Sequence, residues 1–129
     1  MFSNKTISDK KVIEVLKRIA KTIGTVVITS GDRSTVPKGG SKNSRHLKHM
    51  AADFGISGYG LTQWFGFKEI YKKRKEIFMD GGRYEILFHG KHDLCKPHIH
   101  IGRFTTGSGL SFKTRGVKKG EKEWKSYPN

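Results

Sequence analysis

The sequence predicts an α+β fold, a small antiparallel sheet with amphipathic helices packed on it. Three observations predict it. Val12, Val15, Leu16, Ile19, Ala20 and Ile23 recur at the spacing of one helical face. Thr25-Val26-Val27-Ile28-Thr29 is β-branched throughout and reads as a buried strand. Two later stretches alternate with period two: Tyr84, Ile86 and Phe88 against Glu85 and Leu87, then Ile99 and Ile101 against His98 and His100.

The chain has 129 residues, which fits one domain large enough to bury a core without disulfides. Apolar residues make up 34%, charged residues 29%, and there are 16 glycines, so it is loop-rich rather than disordered. No apolar run approaches the length of about 18 residues that a membrane span requires. Residues 1–11 are polar and lack the apolar stretch of a secretory signal. The lone cysteine, Cys95, excludes an internal disulfide. The net charge of +15 predicts attraction to a polyanion: nucleic acid, anionic cell-wall polymers or lipid head groups.

Ser8 or Asp9 can cap the first helix, and Gly24 suits its end. The following strand delivers Ser30-Gly31-Asp32-Arg33. Residues 34–43 hold Pro37 and Gly39-Gly40 and read as a loop. Around Asp53, Met50-Ala51-Ala52 and Phe54-Gly55-Ile56 read as a short buried strand. A buried carboxylate without a partner is costly, and a bound metal is one way to remove that cost. Residues 61–79 read as a second helix, with Leu61, Trp64, Phe65 and Tyr71 inward and Lys72-Lys73-Arg74-Lys75 outward. Asp80-Gly81-Gly82 is a turn. Residues 83–88 then form a strand that a long loop, holding His89, His92 and Asp93, joins to the His98–His100 strand as an antiparallel hairpin. Residues 1–108 form the domain. Residues 109–129 carry six Lys or Arg against two Glu and read as an irregular basic tail, with Trp124 and Tyr127 docking it.

His46 and Asp53 are both good zinc ligands, but they lie seven residues apart. On one strand they point to opposite faces, and on one helix they sit roughly 10 Å apart. Sharing one zinc at about 2.0–2.2 Å requires a bend, which residues 47–50 can supply. Alternation puts His98 and His100 on one face, and His100 completes a three-ligand set.

Ser44-x-His46-x4-Ala51-x-Asp53 followed by a His-x-His strand resembles the zinc D-alanyl-D-alanine carboxypeptidases, related phage endolysin peptidases and the hedgehog signalling domain. Ile28-Thr29-Ser30-Gly31-Asp32-Arg33-Ser34 is similar to the family's arginine motif, and Lys96-Pro97-His98-Ile99-His100 to the hedgehog form of its last segment. The resemblance implies helices packed on one side of a small antiparallel sheet. It further implies Zn2+ held by His46, Asp53 and His100, with an open fourth position. Arg33 would bind substrate or the developing oxyanion, and Ser44 would hydrogen-bond the substrate.

Where the family carries a catalytic Glu, this chain has Pro97 or Leu94, and His49 stands where Gly is frequent. Proton transfer is therefore expected from His98, with Asp93 in reserve. The implied activity is a zinc metallopeptidase that cleaves peptidoglycan stem peptides or cross-links. It would be made in the cytoplasm and act at the cell wall or periplasm, its basic surface free to hold anionic wall polymers. A non-catalytic zinc module is the second reading, and a basic nucleic-acid binder the third. Against the third, there is no helix-turn-helix signature, RNA-binding aromatic motif or zinc-finger cysteine pattern.

Overall fold

A computed structural model describes residues 6–32, 50–59 and 63–128. Within them the chain is α+β. It contains α1 (Lys10–Thr22), β1 (Val26–Ser30), β2 (Ala51–Ile56), α2 (Trp64–Lys72), α3 (Arg74–Ile77), β3 (Arg83–His89), β4 (His98–Phe104), β5 (Gly109–Arg115) and β6 (Lys125–Ser126). The strands form one sheet in the order β1-β2-β4-β3-β5-β6.

The expected antiparallel sheet is in fact mixed. The pairs β1–β2, β2–β4, β3–β4 and β5–β6 are antiparallel, but β5 runs parallel to β3. The parallel pair arises because residues 109–115 are not an irregular tail. Phe112 and Thr114 of β5 are buried between exposed Ser111 and Lys113, so the strand obeys the alternation of a half-buried sheet. Strands from both sides of position 108 thus belong to one sheet. Tyr127 and Trp124 do dock the last segment. Tyr127 packs edge-on against Trp64, Phe67 and Tyr71, with ring centroids 5.2–5.7 Å away.

The helices and the sheet share one core on one face. Val12, Val15, Leu16 and Ile19 of α1 and Phe67, Ile70 and Ile77 of the later helices meet Phe54, Tyr84, Ile86, Phe88, Ile99 and Ile101. Burial of such side chains is the main favourable term in folding. Asp9 occupies the N-cap position of α1, but its side chain does not cap the helix. Its carboxylate instead accepts two hydrogen bonds from Arg103, at 2.6 and 3.1 Å, and so ties the start of α1 to β4.

The second helix differs from expectation. It breaks at Lys73 into α2 and α3, and Phe65 faces solvent. The inward positions are Phe67 and Ile70, flanked by Trp64 and Tyr71. Two registers fit this aromatic-rich stretch, and the sheet selects the one that buries Phe67. Gly66 permits the close approach of α2, because a Cβ there would lie 3.3 Å from Ile56 Cδ1. Leu61 lies outside the described residues. β1 is an edge strand rather than a fully buried one: Val26 and Ile28 are buried, but Val27 is 48% exposed.

Candidate functional site on the polar face of the sheet

The face opposite the helices carries the chemistry. Strand alternation sends Asp53 of β2, His98 and His100 of β4, and Glu85 and His89 of β3 to this side. Register then brings them together: Asp53 lies directly across from His100, and His89 directly across from His98.

The centre is a buried carboxylate–imidazole–carboxylate row. His100 Nδ1 lies 3.0 Å from Asp53 Oδ1, and His100 Nε2 lies 2.8 Å from Glu85 Oε2. Asp53 and His100 are only 8% and 6% exposed. Burial by itself would lower the basicity of His100. Hydrogen bonds and charge from Asp53 and Glu85 outweigh it and lift the pKa to about 9. The two carboxylates thus favour the protonated imidazole, and the hydrogen bond from His100 offsets the cost of burying Asp53.

His98 forms the next layer outward. Its Nε2 lies 3.6 Å from Asp53 Oδ2, and its Nδ1 lies 2.8 Å from the Lys96 carbonyl. The His98 ring stacks on His89 at 4.3 Å between centroids. His89 Nδ1 in turn meets Asp93 Oδ2 at 2.8 Å, and the Arg115 guanidinium donates to the same oxygen at 3.0 Å. Burial, reinforced by the nearby His98, drives the pKa of His89 down to about 4 despite its hydrogen bond with Asp93. Burial opposes ionisation of Asp93. The Leu94 N–H, His89 and Arg115 overcome this and hold it below the ordinary carboxylate range. The Arg115 guanidinium also lies over Trp124, which meets His89 edge-on at 5.0 Å.

The strand ends are held close by backbone contacts. Gly90 N–H donates to the Arg115 carbonyl and His92 N–H to the Gly116 carbonyl, both at 2.8 Å. Gly116 has φ +75°, and a Cβ there would lie 2.5 Å from Asp93 N, so only glycine lets β5 end against the β3–β4 loop.

Among the sequence-predicted residues, Asp53, His98 and His100 share one cluster. Asp93 sits beside it, tied to His89 and Arg115. His46, Arg33 and Ser44 lie outside the described residues, as do His49 and the loop at residues 34–43. Glu85, His89 and Arg115 have larger structural parts than the sequence assigned them. Period-two alternation through residues 83–89 already places Glu85 and His89 on one face, but only strand pairing puts that face beside the His-x-His segment. Arg115 gives no such signal, because the lysines and glycines around β5 have the composition of a tail.

No protein-family model, curated protein or solved structure matches this chain.

Proposed function

We propose that the protein is a zinc-dependent peptidase acting on peptide bonds of bacterial peptidoglycan. The carrying observation is Asp53 facing His100 at 3.0 Å with Glu85 behind the imidazole. Two donors on one tetrahedral zinc, each at about 2.0–2.1 Å, lie about 3.3 Å apart, so the pair needs little adjustment to fit. A zinc-binding histidine usually gives its other ring N–H to a carboxylate, which fixes the tautomer. Glu85 is suited to that work, leaving Nδ1 for the metal. Asp53 and His100, with His46 from the segment outside the described residues, would hold the ion. Bound zinc supplies Lewis acidity and a water of lowered pKa.

The remaining roles belong to the chain. His98, whose Nε2 lies 3.6 Å from Asp53, would accept a proton and return it to the leaving amine. Arg33 would bind the substrate carboxylate or the oxyanion, and Ser44 would hydrogen-bond the peptide. The resemblance to hedgehog and the DD-peptidases supports the same assignment.

A non-catalytic zinc module is the competing reading. It is favoured by the missing Glu: Leu94 at one family position is fully exposed and Pro97 holds the other. Metal analysis together with digestion of purified cell wall separates the two. We expect stoichiometric zinc and release of peptide termini that chelator abolishes and added zinc restores. Asp53→Ala and His100→Ala should lose the metal. Glu85→Gln should weaken zinc by about 10–100-fold. Chelator-resistant cleavage would refute the zinc mechanism, and full zinc occupancy without cleavage would support the module.

A further inference from the structure

We propose a second, thiolate-containing cation site formed by His89, Cys95 and His98 at the mouth of the β3–β4 hairpin. It is separate from the Asp53–His100 pair and does not depend on the peptidase reading. One donor atom from each of the three side chains lies within 4.8 Å of the others. Cys95 Sγ is 4.0 Å from His98 Nδ1. A sulfur and a nitrogen on one tetrahedral zinc, at about 2.3 and 2.0 Å, sit about 3.6 Å apart. The donors are close enough to share an ion once the two imidazoles, stacked at 4.3 Å and 15°, turn so that both lone pairs meet it.

Two features favour a cation over a bare cluster. His89 is fixed by Asp93, itself held by Arg115 and the Leu94 N–H. With Nδ1–H donating to Asp93, the lone pair of His89 falls on Nε2, the arrangement in which carboxylate-supported histidines bind metals. The second feature is that only Lys96 and Pro97 separate Cys95 from His98, so local chain geometry limits the distance between them.

One thiolate and two imidazoles suit a borderline-soft ion, Zn2+ among the common ones. His98 Nδ1 also contacts the Lys96 carbonyl, so a cation takes that nitrogen only by displacing its proton. One consequence does rest on the peptidase reading: a cation here occupies His98 and removes it from proton transfer, so filling this site inhibits cleavage.

The test uses the full chain, freed of metal and titrated with Co2+ alone. A near-ultraviolet thiolate-to-cobalt absorption should appear. Cys95→Ser should abolish it and reduce bound cobalt by one ion per chain. Because Cys95 is exposed, this variant should fold normally, as circular dichroism would verify. Asp93→Asn should weaken the cobalt bound with this absorption by about 10–100-fold. Asp53→Ala, which disrupts the other site, should leave the absorption intact. Absence of the band in the parent chain would overturn the proposal. So would a band indifferent to both Asp93→Asn and His89→Gln, since that is a cysteine binding metal without the histidines.

Discussion

His100 and His89 stand two strand positions apart in the same layer, yet their surroundings push them in opposite directions. Two carboxylates stabilise the charged form of His100, whereas burial beside another imidazole disfavours the charged form of His89. Each shift also makes the stability of the metal-free protein depend on pH. His100 has a folded pKa of about 9 against an ordinary 6.5. The folded state binds its proton more tightly, so this contribution is complete below pH 6.5 and is lost as pH rises through about 9. His89 has a folded pKa of about 4 against 6.5, so here the unfolded chain binds the proton more tightly. Its contribution is complete above pH 6.5 and is lost as pH falls towards 4. Chelator-treated protein should therefore be most stable near pH 6.5 and fall away on both sides. Urea denaturation across the range measures this. His89→Gln should flatten the acid limb and Glu85→Gln the alkaline one; limbs unchanged in both variants would refute the assignment.

At the scale of elements, β5 decides whether the last 21 residues are structural. It pairs with β3 along its full length, and its Phe112 joins the core at 6% exposure. A chain ending at Ser108 would expose the β3 edge, open the core around Phe67 and Phe78, and remove Tyr127 from its aromatic cluster. That chain should lose cooperative unfolding. In the full chain, Phe112→Ala should cost about 3–5 kcal/mol by urea denaturation. A truncated chain that unfolds as sharply as the parent would make residues 109–129 dispensable.

How far each element is legible in the sequence depends on whether one period dominates it. α1 and the β3–β4 hairpin are of that kind, with period 3.6 for Val12 to Ile23 and period 2 for Tyr84 to Phe88. β5 is not: its alternation, Phe112 and Thr114 against Ser111 and Lys113, sits among lysines and glycines and has few apolar members. The helix register at Phe65 and Phe67 is obscure for a different reason, since local spacing allows both and only contact with Ile56, Phe88 and Phe112 chooses. In the site, the His-x-His alternation correctly puts His98 and His100 on one face. The carboxylate behind His100 depends on a pairing between positions 15 residues apart in sequence, which no local spacing encodes.

For the whole molecule, the sheet separates two surfaces. The titratable cluster lies on one face, while the helix layer on the other presents exposed lysines such as Lys17 and Lys21 of α1, Lys72 of α2 and Lys75 of α3. With 26 basic against 11 acidic residues, the net charge of +15 attracts polyanions over the whole surface. Anionic cell-wall polymer and nucleic acid both meet that description, but contact with each has a different consequence. If the charge serves to retain a wall-cleaving domain, retention on intact, teichoic-acid-bearing wall should be strong at low salt. It should fail as the screening length contracts from about 10 Å at 0.1 M salt to about 3 Å at 1 M. Cleavage of a short uncharged stem-peptide substrate should change little over the same range. Lys72→Glu with Lys75→Glu should lower retention without altering that cleavage, because both residues sit on the helix side of the sheet. Sedimentation with wall fragments, beside a soluble-peptide assay, reads the two effects separately. Salt-independent retention would refute a role for the surface charge in wall binding. Tight, salt-sensitive duplex DNA binding without wall retention would favour the nucleic-acid role.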